Sequence, residues 1–316
     1  MRIFRFGALS LSLSLLLAVT VALTGCGGGG GGSDNKQTGD GKDGGGSPKE
    51  KKAVEAGKGS LKGLAKMDGS VDLKKLVEDA QKQHDALLVQ KDAEKATHDC
   101  VTDVPADNKD DKLQQKWMIG KDKGVANVFV WLEPVSGTDF AVDEKNAEVQ
   151  KAKGQTVTLD QPYCAYHPHA FVLFASYNTH KDGKWNRVKN DEKLLVKSSA
   201  AKRFSHNTNV KGGGMDFNET ASLEGKSLEP IAKSSKGELV DIHCDIHKQM
   251  KAHALVIGNP YFAITDKDGN YEIKNVPAAR VKLFVYHEGA GKIVDGKEIA
   301  LTDKENTQDF TVKPSE

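Results

Sequence analysis

The chain lacks an excess of either charge. Its 316 residues carry 45 Lys and Arg against 44 Asp and Glu, a formal net charge of +1. No global field exists to gather nucleic acid or an acidic surface, so a nucleic-acid partner is not expected. Aromatic residues are also scarce, at 6%. The 38% hydrophobic fraction is concentrated partly in the first 25 residues, which argues against one large core. What remains, roughly 250 residues, suits one or two small domains. Cysteines number only four, and no C-x-x-C-H occurs, which excludes attachment of a c-type haem.

What is present begins at the N-terminus. Arg2 and Arg5 precede an apolar run from about Ala8 to Leu23, which ends in Leu23, Thr24, Gly25 and Cys26. This pattern reads as a cleaved export signal over 1–25 rather than a spanning helix. The LTGC sequence resembles the bacterial lipobox, which implies lipidation of Cys26 and an exported protein held at a membrane on its periplasmic or cell-surface side. More than one acyl chain suffices for stable anchoring. Residues 26–58, rich in Gly, Ser and charge, read as a flexible tether.

From Gly59 onward, short alternating runs are separated by Gly, Asp and Asn, which is the punctuation of strands. GSLKGLAKMDG, VANVFVWLEP, VTLDQPY, HAFVLFASYN, KLLVKSS, ELVDIHC, KAHALVIG, YFAITDKDGNYEIKNV and RVKLFVYH all read this way. One exception is VDLKKLVEDAQKQHDALLVQKDAEK, where Leu73, Leu76, Val77, Ala80, Leu87 and Leu88 fall near helical spacing. The expected fold is therefore mainly β, built from sandwiches with one helical insertion.

The chemistry concentrates in VDIHCDIHKQMKAHALV, where Cys244, His247 and Met250 form C-x2-H-x2-M just after a strand. A thiolate, an imidazole and a thioether on one short loop can converge around a soft or borderline ion. Adding His206 from FSHNTNV gives two imidazoles, one thiolate and a weak axial thioether, the set of a blue copper centre. This pattern resembles the cupredoxins, and the short His-to-Met loop is similar to that of amicyanin rather than plastocyanin. The flanks resemble the methylamine-utilisation-type lipoproteins, in which a transthyretin-like or carboxypeptidase-regulatory-like module accompanies the copper fold. That module's turn sequence appears as TDKDGNYEIKNVPA.

The resemblance implies a cupredoxin-like domain over 151–258, inserted into a regulatory-like β-sandwich made of 59–150 and 259–316. It also implies one type 1 copper and transfer of single electrons to an unidentified redox protein. The family's Asn that ties the ligand loops together is expected before the upstream His, where this chain has Ser198 or Ser199. Lys248 and Gln249 stand where apolar residues or Pro are usual, so a docking face there would be more polar. His247 is expected to be the ligand that reaches solvent. THKDGKWNRVKNDE reads as an added hairpin or loop.

Other readings stand beside this one. Zinc would prefer four closed ligands. Cys244 as a nucleophile lacks a recognisable residue to orient a base, so no enzymatic activity is expected. A copper-handling lipoprotein and a metal-free surface assembly protein are alternatives. Cys100 and Cys164 are expected to pair in an oxidising compartment; unpaired, they leave room for a second metal site of His167, His169 and His287. His243 and His253 are expected to face outward or to join a polar surface network. Asp266 and Asp268 read as a β-turn, because the further carboxylates of a calcium loop are missing.

Overall fold

The structure is a computed structural model, and it describes residues 50–88, 113–199 and 205–315. The leader, most of the Gly-rich stretch, Cys26 and Cys100 lie outside these residues. The described chain is mainly β, and among its residues no helix is long and apolar enough to cross a membrane.

Two sandwiches are present. In the first, a five-stranded sheet runs in the order Met215–Thr220, Asn207–Gly212, Gly237–His243, Lys251–Ile257, Ala170–Phe174. A three-stranded sheet, Lys226–Leu228, Lys193–Lys197, Thr156–Asp160, faces it. Leu159, Leu173, Leu194, Val196, Val210, Val240, Ile242 and Val256 close the core between them. The second sandwich has one sheet of Phe262–Ile264, Phe129–Pro134, Arg280–His287 and Gly291–Ala300. Its other sheet is Asn270–Val276 beside Gly59–Met67, which also pairs in parallel with Glu305–Thr307 and Phe310–Val312. Segments on both sides of the first sandwich in sequence thus interleave in both sheets of the second. Its core holds Leu61, Val130, Leu132, Ile273, Val281, Leu283, Val285 and Val312.

The strand Lys251–Ile257 joins the two cores. Successive side chains of a strand point to opposite faces, and here Ala252, Ala254 and Val256 enter the first core while Leu255 and Ile257 enter the second. Its parallel neighbour divides likewise, with Phe171 and Leu173 on one face and Val172 and Phe174 on the other. The near-continuous apolar text of ALVI reflects burial on both faces rather than one.

Two local features, a strand at Lys52–Glu55 and a short helix at Ala147–Ala152, were absent from the sequence reading, and two expected ones take definite bounds. Lys52–Glu55, inside the stretch expected to be tether, forms a strand parallel to Thr138–Ala141, because Val54 can pack on the second core. The helix spans Leu73–Leu88, and Asp72 Oδ1 accepts from Lys75 N at 3.0 Å to satisfy its first turn. A second, six-residue helix, Ala147–Ala152, starts where Asn146 accepts from Glu148 N. Such a helix is too short for periodicity to reveal. The added segment is a hairpin, Ser176–Lys181 with Lys184–Lys189, turned at Asp182 and Gly183 with φ of 52° and 71°.

Candidate metal centre

Strand Gly237–His243 delivers Cys244 at its end, and Met250 immediately precedes Lys251–Ile257. The intervening loop is closed on itself: Cys244 N donates to Met250 O at 3.2 Å, and Met250 N donates to His247 O at 2.9 Å. His206 stands just before the strand Asn207–Gly212. That strand pairs antiparallel with Gly237–His243, Val210 opposite Ile242, so the register carries His206 to the Cys244 end of the sheet.

The result is a cluster of His206, Cys244 and His247 whose ligand atoms all lie within 4.8 Å of one another. The two Nδ1 atoms are 3.0 Å apart, and Cys244 Sγ is 3.9 Å from His247 Nδ1. All three residues are at most 1% exposed. Met250 is equally buried and belongs to the same apolar cluster as Cys244. His247 therefore does not reach solvent, contrary to expectation; Lys248 is the exposed residue of the loop.

Burial governs the electrostatics. It pushes His206 down to about 3, with His247 adding to the effect and a hydrogen bond from the imidazole to the Tyr163 backbone opposing it. A neutral imidazole keeps a lone pair for an ion. Burial also raises the Cys244 thiol, while backbone N–H groups of His247, Asn207 and Ile246 aim at the sulfur and favour its anion. His247 N lies 3.3 Å from Sγ. Two facing imidazole nitrogens beside a sulfur that receives several N–H groups form a donor set that fits a copper ion. Among the described residues the cluster supplies three nitrogen or sulfur ligands within one buried site, one fewer than a closed structural zinc set.

The residue that ties the ligand loops together is Asn207, not Ser198 or Ser199. Asn207 Oδ1 accepts from Asp245 N, and its Nδ2 donates to Asp245 Oδ2 at 2.9 Å. Asn209 and Asn218 donate to the same carboxylate oxygen at 3.3 and 3.1 Å. These bonds, Asn207's first, hold the Asp245 carboxyl below its ordinary range. Ser198 instead donates to Gln161 O, and Ser199 to Asp160. The sequence signal for Asn207 was its place directly after His206.

The remaining expected residues do not join this cluster. Cys164 is 2% exposed and disulfide-bonded, whereas Cys100 lies outside the described residues. His243 faces outward, 3.3 Å from Asp245 Oδ1. His253 does not; it is 8% exposed and sits between Asp241 and Glu288. His167, His169 and His287 do not form a group. His287 is fully buried, 4.7 Å from the ring of Trp117, and its Nδ1 accepts from Gly289 N. The Asp266 carboxylate accepts from Asp268 N and Asn270 N, closing a turn around Gly269 at φ 84°.

No family model and no curated protein matches the chain. Among solved structures, two single-methionine variants of amicyanin with Cu(I) are similar to it. One is 16% identical over 35% of this chain and 89% of that one, with a TM-score of 0.21. The other is 12% identical over 34% and 88%, with a TM-score of 0.20. At these values the likeness bears on neither ligand nor activity.

Proposed function

We propose that the chain is a lipid-anchored, extracytoplasmic electron carrier with one type 1 copper ion held by His206, Cys244 and His247, and with Met250 as the weak axial ligand. The observation that carries this reading is the buried pair of Nδ1 atoms 3.0 Å apart beside Cys244 Sγ. Copper supplies a one-electron couple between its +1 and +2 states, and a constrained set of imidazole and soft sulfur ligands suits both. The residues around it hold that set still: the Asn207–Asp245 bonds lock the two ligand loops together, and the Cys244–Met250 backbone bond closes the third side. The apolar cluster around Cys244 and Met250 excludes water. Exposed Lys248 provides a charge at the rim for an acidic redox protein, where it would act on association rate and salt dependence. Anchoring through Cys26 follows from the LTGC sequence.

The test is the visible spectrum of the copper-loaded chain. An intense thiolate-to-copper band is expected, lost in Cys244→Ser with circular dichroism unchanged. A Cys244→Ser variant that keeps its full colour overturns the assignment.

A further inference from the structure

A second group of ligand atoms lies at the seam between the sandwiches. His253 belongs to the strand Lys251–Ile257 and shares the face of Leu255 and Ile257. His169 stands just before the neighbouring strand, and His253 N donates to His169 O at 2.9 Å. Glu288 arrives from the other sandwich, directly after Arg280–His287. The ligand atoms of His169, His253 and Glu288 lie within 4.8 Å of one another. Their side chains are 9%, 10% and 12% exposed.

The hydrogen bonds fix how each imidazole is presented. His169 Nδ1 is 3.0 Å from the carbonyl oxygen of Lys251. A carbonyl can only accept, so this nitrogen carries the proton. His253 Nδ1 is 2.8 Å from Asp241 Oδ1 and carries its proton for the same reason. Both rings therefore turn Nε2 toward one carboxylate: His169 Nε2 meets Glu288 Oε1, and His253 Nε2 lies 3.2 Å from Oε2. In a neutral imidazole that Nε2 is a lone pair, which cannot face a carboxylate oxygen closely unless positive charge lies between them. Two protons satisfy the arrangement; so does one divalent cation. Either choice leaves the four groups neutral overall, because two carboxylates, Glu288 and Asp241, balance a charge of two.

Metal-ligating histidines characteristically donate their other ring N–H to a carboxylate or a backbone carbonyl, which fixes tautomer and orientation. Asp241 and Lys251 O supply one of each. His169, Asp241, His253 and Glu288 also line an open cleft of about 790 Å³, which gives an ion a way in and leaves room for water as a further ligand. We propose that His169, His253 and Glu288 form a second metal site, for a divalent ion of the zinc class, separate from the His206–Cys244–His247 cluster. Two imidazoles and a carboxylate suit zinc, leaving its fourth position open to the cleft. The ion clamps the first sandwich to the second, since Glu288 alone comes from the latter.

The experiment uses the Cys244→Ser chain as parent, so that it does not depend on the first site, and Zn²⁺ alone as probe in equilibrium dialysis. Glu288→Gln removes a ligand and is expected to weaken zinc binding tenfold or more. Asp241→Asn leaves all three ligands in place, and its side chain is 79% exposed, so folding is not at risk. It is expected to weaken binding about 10 to 100-fold through the orientation of His253. Zinc should raise the melting temperature of the parent, as any ligand of the folded state does, but not that of Glu288→Gln. Affinity unchanged by Glu288→Gln, or no zinc retained by the parent, overturns the site and leaves a proton-bridged ion cluster in its place.

Discussion

At the scale of single residues, the proposed ligand set could be picked out of the chain because three of its members, Cys244, His247 and Met250, fall within seven positions on one loop. The residues that hold the set were not, since their roles depend on pairing between distant strands. Asn207 reaches Asp245 across 38 positions, and nothing in SHN alone says which way its amide points. Its role predicts that Asn207→Ser, which cannot span both bonds to Asp245, weakens copper binding about 10 to 100-fold while far-ultraviolet dichroism is kept; competition with a chelator measures it, and unchanged affinity would remove Asn207 from the site. A second residue acts on stability alone. Burial pushes Glu192 up to about 7 from 4.5, only partly opposed by the N–H of Phe174, which donates to Glu192 Oε2 at 2.7 Å. The folded state thus keeps a proton that the unfolded state has lost, so between about pH 4.5 and 7 stability falls as pH rises. By about 1.4 kcal/mol per unit, the loss reaches at most ~3.5 kcal/mol above that window. Glu192→Gln keeps an acceptor for Phe174 N–H without the charge. Urea denaturation should find it more stable than the parent at pH 8 and equal at pH 4; equality at both would mean that the carboxyl is not held protonated.

At the scale of elements, alternation found the strands but not the number of faces each one buries. The run ALVI in Lys251–Ile257 is compatible with any buried strand, and only the fold reveals that odd and even positions serve different cores. Of the two expectations for His253, the polar network is found and the outward face is not: it is 8% exposed and pairs with Asp241 and Glu288. The division makes the cores separable by mutation. Leu255 is fully buried in the second core and does not line the first. Leu255→Ala should therefore lower stability by about 2 to 5 kcal/mol and leave the copper band unaltered. Denaturation and absorption on the same sample check both halves, and a bleached band would mean that the two cores are coupled through the strand.

At the scale of the whole molecule, no local pattern in the sequence reveals the seam between the two sandwiches, because strands distant in the chain build it. Gly59–Met67 and Glu305–Thr307 lie in one sheet, with Asn306 Nδ2 donating to Ser60 O across 246 positions. Closing so long a loop costs chain entropy before the contact repays it, and folds rich in such pairings fold slowly. The face of the first sandwich turned toward the second carries Val172, Phe174, Leu255 and Ile257, an apolar surface that a soluble domain rarely leaves open. A fragment of residues 151–258, although it contains all four proposed copper ligands, should therefore self-associate and bind a hydrophobic dye, whereas the chain from Pro48 onward should not. Replacing Leu255 and Ile257 with Lys in the fragment should restore a monomer, because those positions meet water once the second sandwich is gone. Sedimentation of the three proteins decides the matter. A monomeric, dye-free fragment with unaltered sequence would mean that the seam contributes little, and that the two sandwiches are joined by the chain more than by their packed faces.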